Sequence, residues 1–228
     1  MKPRLLDLFC GAGGAAMGYS RAGFEVVGVD IVAQPHYPFE FIQDDALFFA
    51  AHVPVRFDAI HASPPCQHYS FAARLNPGSR DKHPDLIARV RELLLETGLP
   101  YVIENVEGAR AWLRNPYLLC GSMVGIEVRR HRLFECSFPM LVPSCHHDLE
   151  LQRPQRYIST TTSAGTKRLR GIVNAAATGS NENMANLKRA MGVTWMVERR
   201  GITEAIPPAY TELIGAQLLQ HIESERAA

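Results

Sequence analysis

Cys66 stands in the stretch HASPPCQHYS, behind Pro64 and Pro65 and in front of Gln67, His68, Tyr69 and Ser70. Two prolines restrict the backbone, so the sulfur is held at a fixed place, and a thiolate in such a setting can attack an electron-poor carbon. A cysteine-protease arrangement would need a histidine base, and His68 is too close in sequence to be that partner. Glu104 closes the apolar run of YVIEN, where burial raises a carboxyl pKa and lets the group hold, or share, a proton with a ring nitrogen. In RRHRLFE, Arg130 and Arg132 lie two apart on an extended segment, which predicts that both project to one face as donors for a base carbonyl or a phosphate. Gly11, Gly13 and Gly14 in DLFCGAGG allow a backbone to approach a ligand at a helix N-terminus. Asp30 lies about 20 residues on, where an acid bonds the hydroxyls of a ribose.

These residues need strand ends to hold them. PRLLDLF reads as a buried strand, GAGGAAMGYSRAG as a glycine turn and short helix stopped by Gly23, and FEVVGVD as a second strand that ends on Asp30. That is a βαβ unit. FEFIQDDA supplies a third strand edge, and RFDAIHA a fourth that delivers the chain to Cys66. PDLIARVRELLLETG carries a helical stripe of Leu86, Ile87, Val90, Leu93 and Leu94, stopped by Gly98, and PYVIEN is a fifth strand. Gly11, Asp30, Cys66 and Glu104 then all fall beyond the carboxyl ends of parallel strands, where ligands of open α/β sheets collect. From about Phe138 to Asn186 the periodicity fades into a stretch rich in Thr, Ser, Gly and Asn. PPAYTELIGAQLLQHIE then reads as a proline-started helix with Leu213, Ile214, Gln217, Leu218 and Ile222 on one stripe, returning to the main sheet.

The 228 residues suffice for one main core with a small appendage. The net charge of +1 conceals an uneven distribution. Residues 1–128 carry 11 Lys/Arg against 14 Asp/Glu, residues 129–200 carry 12 against 5, and residues 201–228 carry 1 against 4. The segments are therefore −3, +7 and −3. A basic middle segment between acidic flanks suits contact with a polyanion, and equally a solvated arginine-rich face. There is no apolar run of about 18 residues and no signal-peptide pattern at the N-terminus, so a soluble cytoplasmic protein with no membrane partner is expected. Five widely spread cysteines suit reduced thiols rather than a disulfide framework. Cys136, Cys145, His146 and His147 could offer metal ligands, but their spacing is unlike that of zinc knuckles, and no metal is expected.

Taken in order, DLFCGAGG, the acid of GVD, QDDA, SPPCQ, VIENV, RRHRLFE and PPAYTELIGAQLL resemble the motif series of the cytosine-5 DNA methyltransferases, densely over residues 5–136 and loosely over 188–220. The resemblance implies a Rossmann-like doubly wound α/β methyltransferase sheet. Its parts would be a catalytic and cofactor-binding domain over 1–137, a small loop-rich target-recognition module over 138–187, and a C-terminal segment over 188–228 that returns to the catalytic domain. It implies S-adenosyl-L-methionine as cofactor, held by Phe9 against the adenine, Gly11, Ala12, Gly13, Gly14 and Pro65 along the methionine and ribose end, Asp30 at the ribose hydroxyls and Asp45 at the adenine amine. It implies that Cys66 attacks C6 of a flipped cytosine, Glu104 holds or protonates N3, and Arg132, assisted by Arg130, contacts O2. Double-stranded DNA would be the partner, contacted by Gln67, Ser70, Lys167, Arg168 and Arg170. A monomer is expected, with a cognate or host restriction system alongside. The chain departs from the family pattern where Val128 replaces the glutamine that usually opens the arginine motif, and where Gly215-Ala216 stands for Gly-Asn. A tRNA cytosine-5 methyltransferase and a catalytically silent DNA-binding relative remain as alternatives.

Overall fold

The computed structural model describes residues 2–53, 56–70, 83–145 and 183–227, together with the backbone of 158–159. Five strands are parallel: β1 (Arg4–Leu8), β2 (Glu25–Asp30), β3 (Glu40–Gln43), β4 (Ala59–Ala62) and β5 (Tyr101–Asn105). Two more, β6 (Tyr117–Leu119) and β8 (Arg132–Cys136), extend the sheet, with β8 antiparallel to both β5 and β6. The order is β3-β2-β1-β4-β5-β8-β6. The chain runs outward from β1 to β3, then restarts beside β1 with β4, so the switch point lies between β1 and β4, where an open sheet leaves a crevice for ligands. β7 (Val128–Arg129) lies outside this sheet and pairs with β9 (Ile158–Ser159).

The central strands β1, β2, β4 and β5 are mostly buried because both faces of the sheet are covered, whereas the edge strand β3 is exposed to half-buried. On one face, Leu6, Leu8, Val27, Val29, Ile60, Ala62 and Ile103 pack under α2 (Ala46–Ala50) and α3 (Ile87–Thr97). On the other, Leu5, Val26, Ala59, Val102 and Phe134 pack under α1 (Gly14–Ala22) and α6 (Pro208–Ala227). The stop signals act as the sequence predicts: Gly23 and Gly98 close α1 and α3 in the left-handed conformation. Helix α6 lies close against α1. A Cβ on Gly18 would fall 2.1 Å from the Pro208 carbonyl oxygen and the Thr211 hydroxyl, and one on Gly14 would fall 2.4 Å from the Ile206 carbonyl oxygen. Thr211 Oγ1 donates to the Ala15 carbonyl at 2.8 Å.

A third, smaller core joins Val128, Leu187, Met191, Val193, Met196 and Ile202, built on α4 (Met184–Met191) and α5 (Arg199–Glu204). The expected start of a separate module at residue 138 meets a different arrangement. Phe138 and Met140 are buried in the core under α6, and Gln217 of that helix bonds both the amide and the carbonyl of Leu141. Residues 146–182 lie outside the described residues apart from 158–159, and Lys167, Arg168 and Arg170 are among them. No helix among the described residues is long and apolar enough to cross a membrane.

Candidate active site

Beyond β1 the chain enters the glycine turn through Phe9, a non-glycine residue at φ 56°. Gly11 (φ +47°) faces open space where a side chain would stand. Gly13 (φ +82°) is closed in, since a Cβ there would lie 2.9 Å from Pro38 and 3.0 Å from Tyr37. The turn is held from two sides. Asp30 Oδ2 accepts from the Gly11 amide at 2.9 Å while its Oδ1 accepts from the Val32 amide. Trp195 Nε1 donates to the Ala12 carbonyl at 2.9 Å. From beneath, the fully buried carboxyl of Asp7 accepts from the Tyr37 hydroxyl at 3.5 Å, and burial pushes its pKa up to about 8. Asp45 caps α2 through Oδ1, which accepts from the amides of Leu47 and Phe48, a duty the sequence reading did not assign.

The residues around this turn fit a nucleoside cofactor. Open space fronts the Gly11 backbone, each Asp30 oxygen retains a lone pair beyond its one amide bond, and the neighbouring Ile31 and Val32 are exposed apolar surface suited to a flat ring. Gly215 does something else: a Cβ there would meet Ala22 at 2.7 Å, so it serves the packing of α6 on α1.

Beyond β4, Pro64 and Pro65 carry the chain to Cys66, whose carbonyl accepts from the amides of Tyr69 and Ser70 and so closes a turn. Asn105, at the end of β5, fixes this turn by donating from Nδ2 to the Pro64 carbonyl at 2.9 Å. Tyr69 anchors the far side. Its hydroxyl donates to Asp85 at 2.7 Å and accepts from the amides of Leu86 and Ile87 at the start of α3. Gln67 is exposed and Ser70 half-buried on this turn.

Glu104 and Arg132 meet by strand register. Glu104 pairs with Phe134 across the antiparallel β5 and β8, so Arg132, two residues before Phe134, is its diagonal neighbour on the same face. Arg132 Nε lies 3.0 Å from Glu104 Oε1. Burial raises the Glu104 carboxyl pKa, opposed by Arg132, Arg130 and a hydrogen bond from Ser63. Burial raises the Cys66 thiol as well, with Glu104 adding to the rise and Arg132 opposing it. Burial thus raises the pKa of both the Glu104 carboxyl and the Cys66 thiol, and the Arg132 guanidinium opposes both shifts.

Arg130 departs from the expected pair of parallel donors. The chain leaves the small β7–β9 ribbon after Arg129 and enters the main sheet at Arg132, so Arg130 and His131 bridge two sheets and strand alternation does not apply to them. Arg130 is 2% exposed and donates to the carbonyls of Thr203 and Glu204 at the end of α5, while its own carbonyl accepts from the Tyr210 hydroxyl. It ties the arginine strand to α5, and its charge still acts on Glu104 and Cys66 together with that of Arg132.

A second set of residues was invisible in the sequence. His61 is fully buried on β4, and burial pulls its pKa down to about 3, so its imidazole is neutral. Its Nδ1 lies 2.9 Å from the Tyr19 hydroxyl and its Nε2 2.8 Å from Ser63 Oγ. Tyr19, His61 and Ser63 thus form a buried hydrogen-bonded chain that ends beside Glu104.

A parallel sheet that restarts beside β1, with an antiparallel β8 between β5 and the edge strand β6, has the fold of the S-adenosylmethionine-dependent methyltransferases. Residues 3–115 match the family model described as C-5 cytosine-specific DNA methylase, and through them the chain belongs to that family, whose methyl donor is S-adenosylmethionine. Among solved structures, the Entamoeba histolytica methyltransferase EhMeth aligns over 99% of this chain and 99% of its own at 13% identity and a TM-score of 0.58. The S. pombe Dnmt2 methyltransferase aligns over 97% and 99% at 16% identity and a TM-score of 0.57. A DNA modification methyltransferase encoded within an E. coli prophage is 24% identical over 58% of this chain, with a TM-score of 0.41. The chain spans 45% of the length of that last protein. No curated protein matches.

Proposed function

We propose that the protein methylates C5 of a cytosine in DNA at a short specific site, through a covalent adduct of Cys66 with a base flipped out of the duplex. C5 of an aromatic cytosine is a poor nucleophile until addition at C6 turns the ring into an enamine. The Cys66 thiolate forms the S–C6 bond, the C5–C6 π pair moves into the ring, and Glu104 supplies or shares the proton at N3 that neutralises it. Arg132, fixed by Glu104, faces the developing charge at O2, and Arg130 acts as a positioning residue behind it. S-adenosylmethionine, when bound, supplies an electrophilic methyl group; Phe9, Gly11, Ala12, Gly13, Gly14, Asp30, Asp45 and Pro65 would hold it. After C5 gains the methyl group, the C5 proton passes to solvent water, its electron pair re-forms the C5–C6 double bond and expels the Cys66 thiolate, and the N3 proton returns to Glu104. The observation that carries this reading is the buried Glu104 carboxyl, ion-paired at 3.0 Å with Arg132 and in electrostatic contact with Cys66. Gln67 and Ser70 on the Cys66 turn, and Lys167, Arg168 and Arg170 in the basic middle stretch, would grip the DNA.

Tritiated methyl incorporation into unmethylated duplex DNA and into tRNA tests the reading, with bisulfite sequencing to locate the site. Incorporation into DNA alone, lost in Cys66→Ser, is the expected result. Incorporation into tRNA alone transfers the same chemistry to RNA, and DNA binding without incorporation leaves a silent relative. Duplex containing 5-fluorocytosine should form an adduct stable to denaturant, because fluorine at C5 does not leave as a proton.

A further inference from the structure

Cys120, His131 and Cys145 come from three separate segments, after β6, between β7 and β8, and beyond β8. Their ligand atoms all lie within 4.8 Å of one another. The cluster is independent of Cys66 and Glu104, and it is not the set weighed from the sequence. Cys136 points elsewhere, with its thiol 3.7 Å from Met140 Sδ, while His146 and His147 lie outside the described residues. None of the five cysteines is disulfide-bonded.

The imidazole is oriented as a ligand. His131 Nδ1 donates to Glu107 Oε1 at 3.0 Å, which leaves the Nε2 lone pair facing Cys145 Sγ at 3.6 Å. A carboxylate behind the far nitrogen fixes tautomer and ring plane, as it does for metal-bound histidines. With Zn–S and Zn–N bonds of about 2.3 and 2.0 Å, two donors on a tetrahedral ion stand roughly 3.6 Å apart, so the observed sulfur–nitrogen separation needs no rearrangement. Two soft thiolates and one imidazole select zinc over magnesium or calcium. Cys120 is buried while His131 and Cys145 are half-buried, which leaves the cluster a route from solvent.

We propose that Cys120, His131 and Cys145 bind a zinc ion, with the fourth position taken by water. The ion cross-links the end of β6 and the segment after β8 to His131. Since His131 stands between Arg130 and Arg132, the ion also pins the bridge that aims Arg132 at Glu104. Spacings of 11 and 14 residues hide the set from a motif search, because the β6–β8 pairing, not local sequence, brings the ligands together.

Purified full-length protein, expressed in zinc-supplemented medium and dialysed, should carry about one zinc per chain by elemental analysis. Cys120→Ser and Cys145→Ser should lose most of it, and Cys136→Ser should keep it. Replacement by cobalt in the unmutated protein should give a thiolate-to-metal charge-transfer band and the intense visible bands of a tetrahedral ion, a readout that survives if either serine variant misfolds. Chelation should lower the unfolding temperature. Protein that stays metal-free after reconstitution, cobalt spectra lacking tetrahedral bands, full zinc retention in both serine variants, or a Cys120–Cys145 disulfide found by mass spectrometry would each overturn the proposal.

Discussion

The two faces of the sheet each bury one carboxylate–arginine pair, both contributed in part by β8. On the α3 face, Glu135 is bridged by Arg91 through two bonds of 2.6 Å and also accepts from the Tyr101 hydroxyl and the Arg114 amide. On the α6 face, Glu104 has Arg132 and the Ser63 hydroxyl. The Glu135 carboxylate is surrounded by four donors, and the hydrogen bond to it holds the Arg91 pKa up. The Glu104 carboxyl, short of donors, has its own pKa raised by burial. A buried ion pair is structural when its hydrogen bonds are complete and reactive when they are left for a substrate to finish.

The sharpest way to break this contrast is Glu104→Gln. An amide cannot deliver a proton to N3, so methyl transfer should fall about 100- to 10,000-fold in single-turnover assays. The same change should stabilise the protein at neutral pH. A folded pKa above the ordinary carboxylate value means the native state binds more protons than the unfolded one, so stability falls as pH rises from 4.5 through the raised value. Glutamine removes that loss, and calorimetry should show an unfolding midpoint higher by ~2–4 °C per kcal/mol recovered.

Arg91→Met should behave in the opposite way. It leaves Glu135 buried with its main partner gone, at a cost of about 3–5 kcal/mol in urea unfolding, while the rate per folded molecule stays unchanged. A loss of rate without a loss of stability would erase the distinction between the two faces. A smaller effect concerns pH. Because the Cys66 pKa is raised, the single-turnover rate should climb with pH through neutrality, and Arg132→Met should move that limb further to alkaline pH by removing the charge that opposes the rise. The smallest effect expected is that of Ser63→Ala, which removes one of the influences that hold the Glu104 pKa down and should move the pH profile further up without unfolding the protein. An unmoved profile would reduce the Tyr19–His61–Ser63 chain to core packing.

Residues whose placement follows from a strand end were legible in the sequence. Gly11, Asp30, Cys66 and Glu104 fall where local patterning puts them, since each closes a periodic apolar run. Strand alternation does not extend to Arg130, which lies on a bridge between two sheets that no local pattern marks, although its charge still acts on Glu104 and Cys66. His61 and Ser63 read as parts of a strand and its exit because their partners, Tyr19 and Glu104, lie about 40 residues away in either direction. Asp45 looks the same in sequence whether it caps a helix or meets a ligand. Cys120, His131 and Cys145 share a site only through the pairing of β6 with β8.

The contact between α1 and α6 sets an order of events. Thr211 bonds Ala15 across 196 residues, and Gly14 and Gly18 leave room only for the backbone of the segment entering α6. During synthesis the glycine turn therefore emerges early but stays without its lid until residues 206–215 leave the ribosome. Long-range closure of this kind slows folding and exposes apolar surface in the interval. Leu5, Val26 and Ala59 form part of that surface. The nascent β1–α1–β2 unit thus keeps this apolar face uncovered until α6 packs on α1.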